Sequence, residues 1–138
     1  MIGKSLFDTG FLFAVFDKDD AHHKECSAVY NVAERVLLPE VVIPELAYMM
    51  ASHLGYEKLV KFLRSVAAGD FVLVPTELED LKRAAEILEK YADSRVDFVD
   101  CVIVAIAERL NIQRILTVDR RHFNLFRPRH CDCFEIIP

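Results

Sequence analysis

Short, wholly apolar runs alternate with amphipathic stretches along this chain, and the alternation predicts the order of its elements. Ser5-Leu6-Phe7 is an apolar run closed by Asp8-Thr9, which predicts a buried strand over residues 4–8 with Asp8 at its carboxyl end. Gly10 to Phe16 stays apolar and predicts a short helix capped by Asp8 or Thr9. Beyond the polar Asp17-Lys18-Asp19-Asp20, the spacing of Cys26, Val29, Tyr30 and Ala33 predicts a helix from about His22 to Glu34. Val36-Leu37-Leu38 reads as a second strand ended by Pro39. Leu46, Met49, Met50, His53 and Leu54 then form a helical stripe. Pro44 fits the first turn of that helix, where its missing N–H costs nothing, and it carries Glu45 into the same turn.

Gly55 closes this helix, and Leu59, Phe62, Leu63 and Val66 mark another through about residue 67. Gly69-Asp70 is a turn. Phe71-Val72-Leu73-Val74 predicts a third strand, apolar enough to be covered on both faces. Thr76 and Glu79 have the spacing of a capping box. The helix they open should reach Tyr91, pack through Leu78, Leu81, Ala85, Leu88 and Ala92, and leave its charges solvated. The stretch from Asp97 to Asn111 is apolar nearly all round and predicts a central helix. Ile115-Leu116-Thr117-Val118 is a fourth strand ending in Asp119, and Phe134 to Ile137 a fifth at an edge.

Strands alternating with helices imply an α/β fold with a parallel sheet between helices on both faces. A chain of 138 residues suits one domain, spanning 1–138. In such sheets ligands bind beyond the carboxyl ends of the strands. Asp8 and Asp119 end strands there, while Glu45 and the pair Asp97 and Asp100 open helices. Residues three apart on a helix share a face, so Asp97 and Asp100 project together. All five acids can meet at one edge of the sheet.

Clustered carboxylates repel one another unless a cation is present. Oxygen donors favour Mg²⁺ or Mn²⁺. Such an ion lowers the pKa of a bound water and steadies an in-line phosphoryl displacement, which points to a metal-dependent phosphodiesterase. Taken singly, each acid also serves as a helix cap or as surface charge. The remaining composition narrows the field. At 53% hydrophobic and 28% charged the chain is globular. No apolar run approaches the roughly 18 residues of a membrane span, and the start is too short in apolar residues to be a secretory signal. The expected setting is therefore the cytoplasm, with no membrane partner. The net charge of −5 opposes a generally basic nucleic-acid binder, yet residues 114–130 hold five arginines against the single acid Asp119. Arg120, Arg121, Arg127 and Arg129 are the expected phosphate contacts.

Other chemistries fit less well. The four glycines build no phosphate-binding loop and no serine sits in a nucleophile elbow. A phosphoaspartyl site would need further acids before strand one, or an acid two residues after Asp8, together with a late lysine; Asp8-Thr9-Gly10 and the segment from Arg114 to Asp119 supply none of these. Cys131-x-Cys133 with His122 and His130 matches no common zinc spacing, so the four cysteines are expected as reduced thiols.

Five segments carry a family resemblance: Leu6-Phe7-Asp8-Thr9; Asp20-Ala21-His22-His23; Ile43-Pro44-Glu45-Leu46; Val96-Asp97-Phe98-Val99-Asp100, running on to Ala107-Glu108-Arg109-Leu110; and Ile115-Leu116-Thr117-Val118-Asp119-Arg120-Arg121-His122-Phe123. Over nearly the whole chain the sequence resembles a PIN domain, more narrowly a VapC-type toxin ribonuclease of type II toxin–antitoxin pairs. The resemblance implies a Rossmann-like sheet of about five strands and an endoribonuclease using Mg²⁺ or Mn²⁺. Asp8, Glu45, Asp100 and Asp119 fall on the family's acidic quartet. By that match Asp8 and Asp100 are the main metal ligands, while Glu45 and Asp119 hold a second ion or orient metal-bound water. Asp97 falls on an additional acid and Thr117 on a supporting hydroxyl, with Thr9 beside Asp8. The implied partners are RNA, a small antitoxin protein and a second copy in a homodimer. Cys101 and Val102 depart from the small or polar residues usual after Asp100, which implies local repacking. The alternative is a PIN-fold module that binds RNA or protein with little or no turnover.

Overall fold

The computed structural model describes residues 4–138. In chain order the elements are β1 (Ser5–Phe7), α1 (Thr9–Phe16), α2 (His23–Val32), β2 (Val36–Pro39), α3 (Val42–His53), α4 (Tyr56–Ala67), β3 (Val72–Val74), α5 (Leu78–Lys90), a 3-10 turn at Ala92–Ser94, α6 (Phe98–Leu110), β4 (Arg114–Leu116), α7 (Arg120–Leu125) and β5 (Glu135–Ile137). The five strands are all parallel, in the order β3-β2-β1-β4-β5. The chain winds from β1 through β2 to β3, then returns to the other side of β1 for β4. The strand order therefore reverses between β1 and β4, and the carboxyl ends of these two strands frame the crevice where α/β sheets take ligands.

Helices flank the sheet: α1 packs on α2 and α3, α3 on α4, and α5 along α6. Local sequence explains the junctions around the crevice. Asp8, extended and outside the helix, caps α1 by accepting the Thr9 N–H at 2.8 Å. Gly10 lets α1 lie against the segment after β4, since a Cβ there would sit 3.0 Å from Val118 Cγ2. Asn111, at φ +56°, adopts the left-handed conformation that ends α6. Between Cys101 and Ala107 every residue of α6 is buried, as its all-round apolar pattern predicts. Phe7, Phe11, Tyr30, Phe71, Phe62 and Phe16 form a chain of aromatic contacts with centroids 5.5–6.1 Å apart.

Several expectations are corrected. The capping box of α5 is Glu77 with Asp80, one residue on from Thr76 and Glu79. The packing face turns with it: Leu78 is 85% exposed and Ala85 is exposed, while Asp80, Ala84 and Ile87 are buried. The charges of α5 are not simply solvated. Arg109 of α6 grips Asp80 through two nitrogens at 2.9 and 3.0 Å, and Arg83 holds Glu108 at 2.7 and 3.1 Å. These forked pairs fix the α5–α6 register more firmly than an apolar stripe would. β3, at the edge of the sheet, is not covered on both faces: the successive residues Val72 and Leu73 are 61% and 42% exposed. His53 is exposed against the edge of Phe13 rather than sunk in the α3 stripe. β4 stops at Leu116, and Asp119 instead caps α7, a six-residue helix not expected from the sequence. Among the described residues Cys131, Cys133 and His130 join no metal-ligand cluster, and all four cysteines are free. No helix among them is long and apolar enough to cross a membrane.

Candidate active site

The pairing of β1 with β4 does most of the positioning. The Asp8 N–H donates to Leu116 O at 3.0 Å, extending the ladder one residue past β1 and pointing the Asp8 carboxylate into the crevice. That carboxylate is buried and tied at both oxygens: Oδ1 to the Thr9 N–H, and Oδ2 to the Thr117 hydroxyl at 2.6 Å. Thr117, fully buried, accepts the Asp119 N–H on the same hydroxyl at 2.9 Å. One side chain thus links Asp8 to Asp119 across the strand reversal. Asp119 caps α7, accepting the His122 N–H on Oδ1 at 3.1 Å, with His122 Nδ1 3.0 Å from Oδ2.

Asp100 enters from α6 as its third residue. It is 5% exposed and accepts no hydrogen bond among the described residues; His122 Nδ1 lies 3.8 Å from it. Asp97 is the exposed N-cap of the same helix and makes no capping bond with its side chain. Glu45, half-buried, comes from the first turn of α3.

The electrostatics follow from this crowding. Asp100 is pushed up from 3.8 to about 9, first by burial and then by the charges of Asp8, Asp119, Asp97 and Glu45. Asp8 is raised to about 6, again chiefly by burial, with Asp119 and Glu45 adding to the rise. The Thr117 hydroxyl and the Thr9 N–H oppose it by bonding the ionised form. The other four predicted acids therefore lie close enough to act on Asp100, and Asp119 and Glu45 also on Asp8. The Thr9 hydroxyl is buried without a partner among the described residues.

The donor set suits a cation. A buried carboxylate with no hydrogen-bond donor, among four other acids, is a poor arrangement for a protein group on its own and a good one for a divalent ion. The expected ligands supply only oxygen. The structure adds His122, which sequence reasoning left out of the site: single ligand atoms of Asp100, Asp119 and His122 lie within 4.8 Å of one another. The signal was present, since a helix-capping Asp119 places the residue three on beside its own carboxylate.

The arginines divide. Arg127 donates to the carbonyls of Asn124 at 2.6 Å and Phe126 at 3.0 Å, closing the end of α7. Arg129 pairs with Glu86 at 3.3 Å, and its backbone N–H donates to Glu108. Arg120 donates to the carbonyl of Pro138. Arg121 is exposed and bonds to nothing among the described residues.

A model of the PIN domain matches residues 5–126. The chain belongs to the PIN domain family. Ribonuclease VapC26 of Mycobacterium tuberculosis is 33% identical over 134 residues, covering 96% of this chain and 99% of the relative. PIN-type architecture recurs in solved VapC structures. VapC20 of M. tuberculosis, described as a sarcin-ricin loop cleaving toxin, matches with a TM-score of 0.76 at 18% identity, over 81% of this chain and 87% of that one. A DNA-bound VapBC complex of Salmonella typhimurium matches with a TM-score of 0.69 at 15% identity, over 98% of each chain. At these identities the solved structures bear on the fold alone.

Proposed function

We propose that this PIN domain is a VapC-type toxin that hydrolyses RNA phosphodiester bonds in the cytoplasm with a divalent metal ion, Mg²⁺ or Mn²⁺. The observation that carries the reading is Asp100, a buried carboxylate without a hydrogen-bond donor, crowded by Asp8, Asp119, Asp97 and Glu45. When bound, the ion supplies a water ionisable near neutral pH and positive charge for the phosphoryl oxygens. The chain's own residues do the rest. Asp8 and Asp100 would hold the ion, and Glu45 and Asp119 would complete its shell or orient a water. Thr117 keeps Asp8 and Asp119 in register through one hydroxyl. Arg121, exposed and free of any side-chain partner among the described residues, is the one of the four arginines left unengaged for a phosphate of the RNA backbone.

The proposal extends to protein partners, namely a second copy and a small antitoxin. It is supported by an apolar groove that adjoins the acids: Val41, Ile43, Pro44, Leu73, Leu81 and Phe98 line it, and Phe98 is 46% exposed two residues from Asp100. RNA cleavage by purified protein with Mn²⁺ or Mg²⁺, against EDTA and against Asp100→Asn, tests the activity. Cleavage that needs both the ion and Asp100 is expected. A folded Asp100→Asn protein that cuts at the wild-type rate would sink the assignment.

A further inference from the structure

His122 shares the site with the acids, and its geometry exceeds what a helix cap requires. Its backbone N–H already satisfies Asp119 Oδ1. Its ring is turned so that Nδ1 lies 3.0 Å from Asp119 Oδ2 and 3.8 Å from Asp100 Oδ2. Two ligand atoms side by side on one six-coordinate ion with bonds of about 2.1 Å stand about 3.0 Å apart, and two opposite ones about 4.2 Å. The 3.0 Å separation equals the side-by-side value, and the 3.8 Å separation lies between the two, nearer the opposite one. An ordinary hydrogen bond to Asp119 accounts for the first and not for the second, since the Asp100 carboxylate accepts no hydrogen bond among the described residues and its charged neighbours are other acids.

We propose that Nδ1 of His122 is a direct ligand, with Asp100 and Asp119, of a divalent ion, and that this nitrogen makes the site select Mn²⁺ over Mg²⁺. The inference rests on the metal-dependent reading above and adds the choice of ion to it. Mg²⁺ favours an all-oxygen shell and keeps its waters, whereas a first-row transition ion accepts imidazole readily. To ligate, the ring must be neutral with its proton on Nε2. Nε2 makes no hydrogen bond among the described residues, and the half-buried ring leaves it a route to water.

The test uses untagged protein loaded with Mn²⁺. Pulsed electron paramagnetic resonance reads whether a ¹⁴N nucleus is coupled to the bound ion, and calorimetry reads the Mn²⁺ and Mg²⁺ affinities of wild type and His122→Asn. The expected result is an imidazole nitrogen coupling in wild type that is absent from the variant. Mn²⁺ affinity should fall about tenfold or more in the variant, with Mg²⁺ affinity nearly unchanged. Bound Mn²⁺ with no nitrogen coupling in wild type overturns the inference, whatever the variant does. So does an equal weakening of both ions, the pattern of a residue that only orients Asp119. Wild-type protein that binds neither ion would overturn the nuclease reading as well, so the two failures are told apart.

Discussion

Replacing Asp100 with Asn should make the metal-free protein more stable while destroying its proposed activity. A carboxyl whose folded pKa is raised stabilises the fold only while protonated. That contribution is complete below its ordinary pKa and is lost as pH rises toward the folded value. For Asp100 the loss runs from 3.8 to about 9, and for Asp8 from 3.8 to about 6. At roughly 1.4 kcal/mol per pH unit, Asp100 acting alone would cost the apo fold on the order of 5 kcal/mol by pH 8. Asn escapes that cost but still buries an amide without a partner, at about 1–3 kcal/mol. The difference favours the variant by about 2–4 kcal/mol at pH 8, or roughly 6–16 °C in melting temperature. Near pH 5 the two contributions nearly cancel, and the proteins should melt together. The assay is a set of thermal scans of both proteins in EDTA at pH 5, 6.5 and 8, repeated with Mn²⁺. Wild type should lose stability with rising pH and regain about 2.7 kcal/mol at an ion concentration one hundred times its Kd; the variant should do much less of either. An Asp100→Asn protein no more stable than wild type at pH 8 in EDTA would refute the claim that the cluster is strained without its ion.

Three further outcomes follow from named contacts. Thr117→Val keeps the shape but removes the hydroxyl that serves both Asp8 and Asp119; RNA cleavage should slow about tenfold, and Asp8 should titrate above about 6 by carboxyl-detected NMR. Arg109→Ala leaves Asp80, 2% exposed, without its forked partner; urea unfolding should report a loss of about 3 kcal/mol. Arg121→Ala should lower the salt dependence of RNA binding by just under one unit of logarithmic slope, and an unchanged slope would remove Arg121 from the RNA interface.

The parallel sheet was legible because its strands are short and apolar and its helices keep a 3.6-residue stripe. What escaped was decided by contacts distant in sequence. Nothing local to residues 76–81 says that Asp80 rather than Leu78 turns inward; that choice is made by Arg109, 29 residues on. Nor does the apolar run at β3 reveal that the strand lies at an edge, since edge and centre differ only in whether a further strand follows alongside. Helix α7 was hidden because its six residues, Arg120 to Leu125, are too few to display a period.

The acids were legible for a different reason. Each falls at a strand end or a helix start, and parallel topology sends those ends to one side of the sheet. Their roles were harder to read, because the bonds that distinguish them link atoms across the strand reversal. Thr117 matters through a contact 109 residues away, and Asp100 through a contact it lacks. His122 belongs to the same class: its place beside Asp119 and Asp100 depends on a helix too short to be seen in the sequence. A site assembled at a strand reversal is thus announced by its charges and completed by side chains whose places only the fold sets, and in this chain replacing His122 would separate a bound ion from a bare acidic cluster.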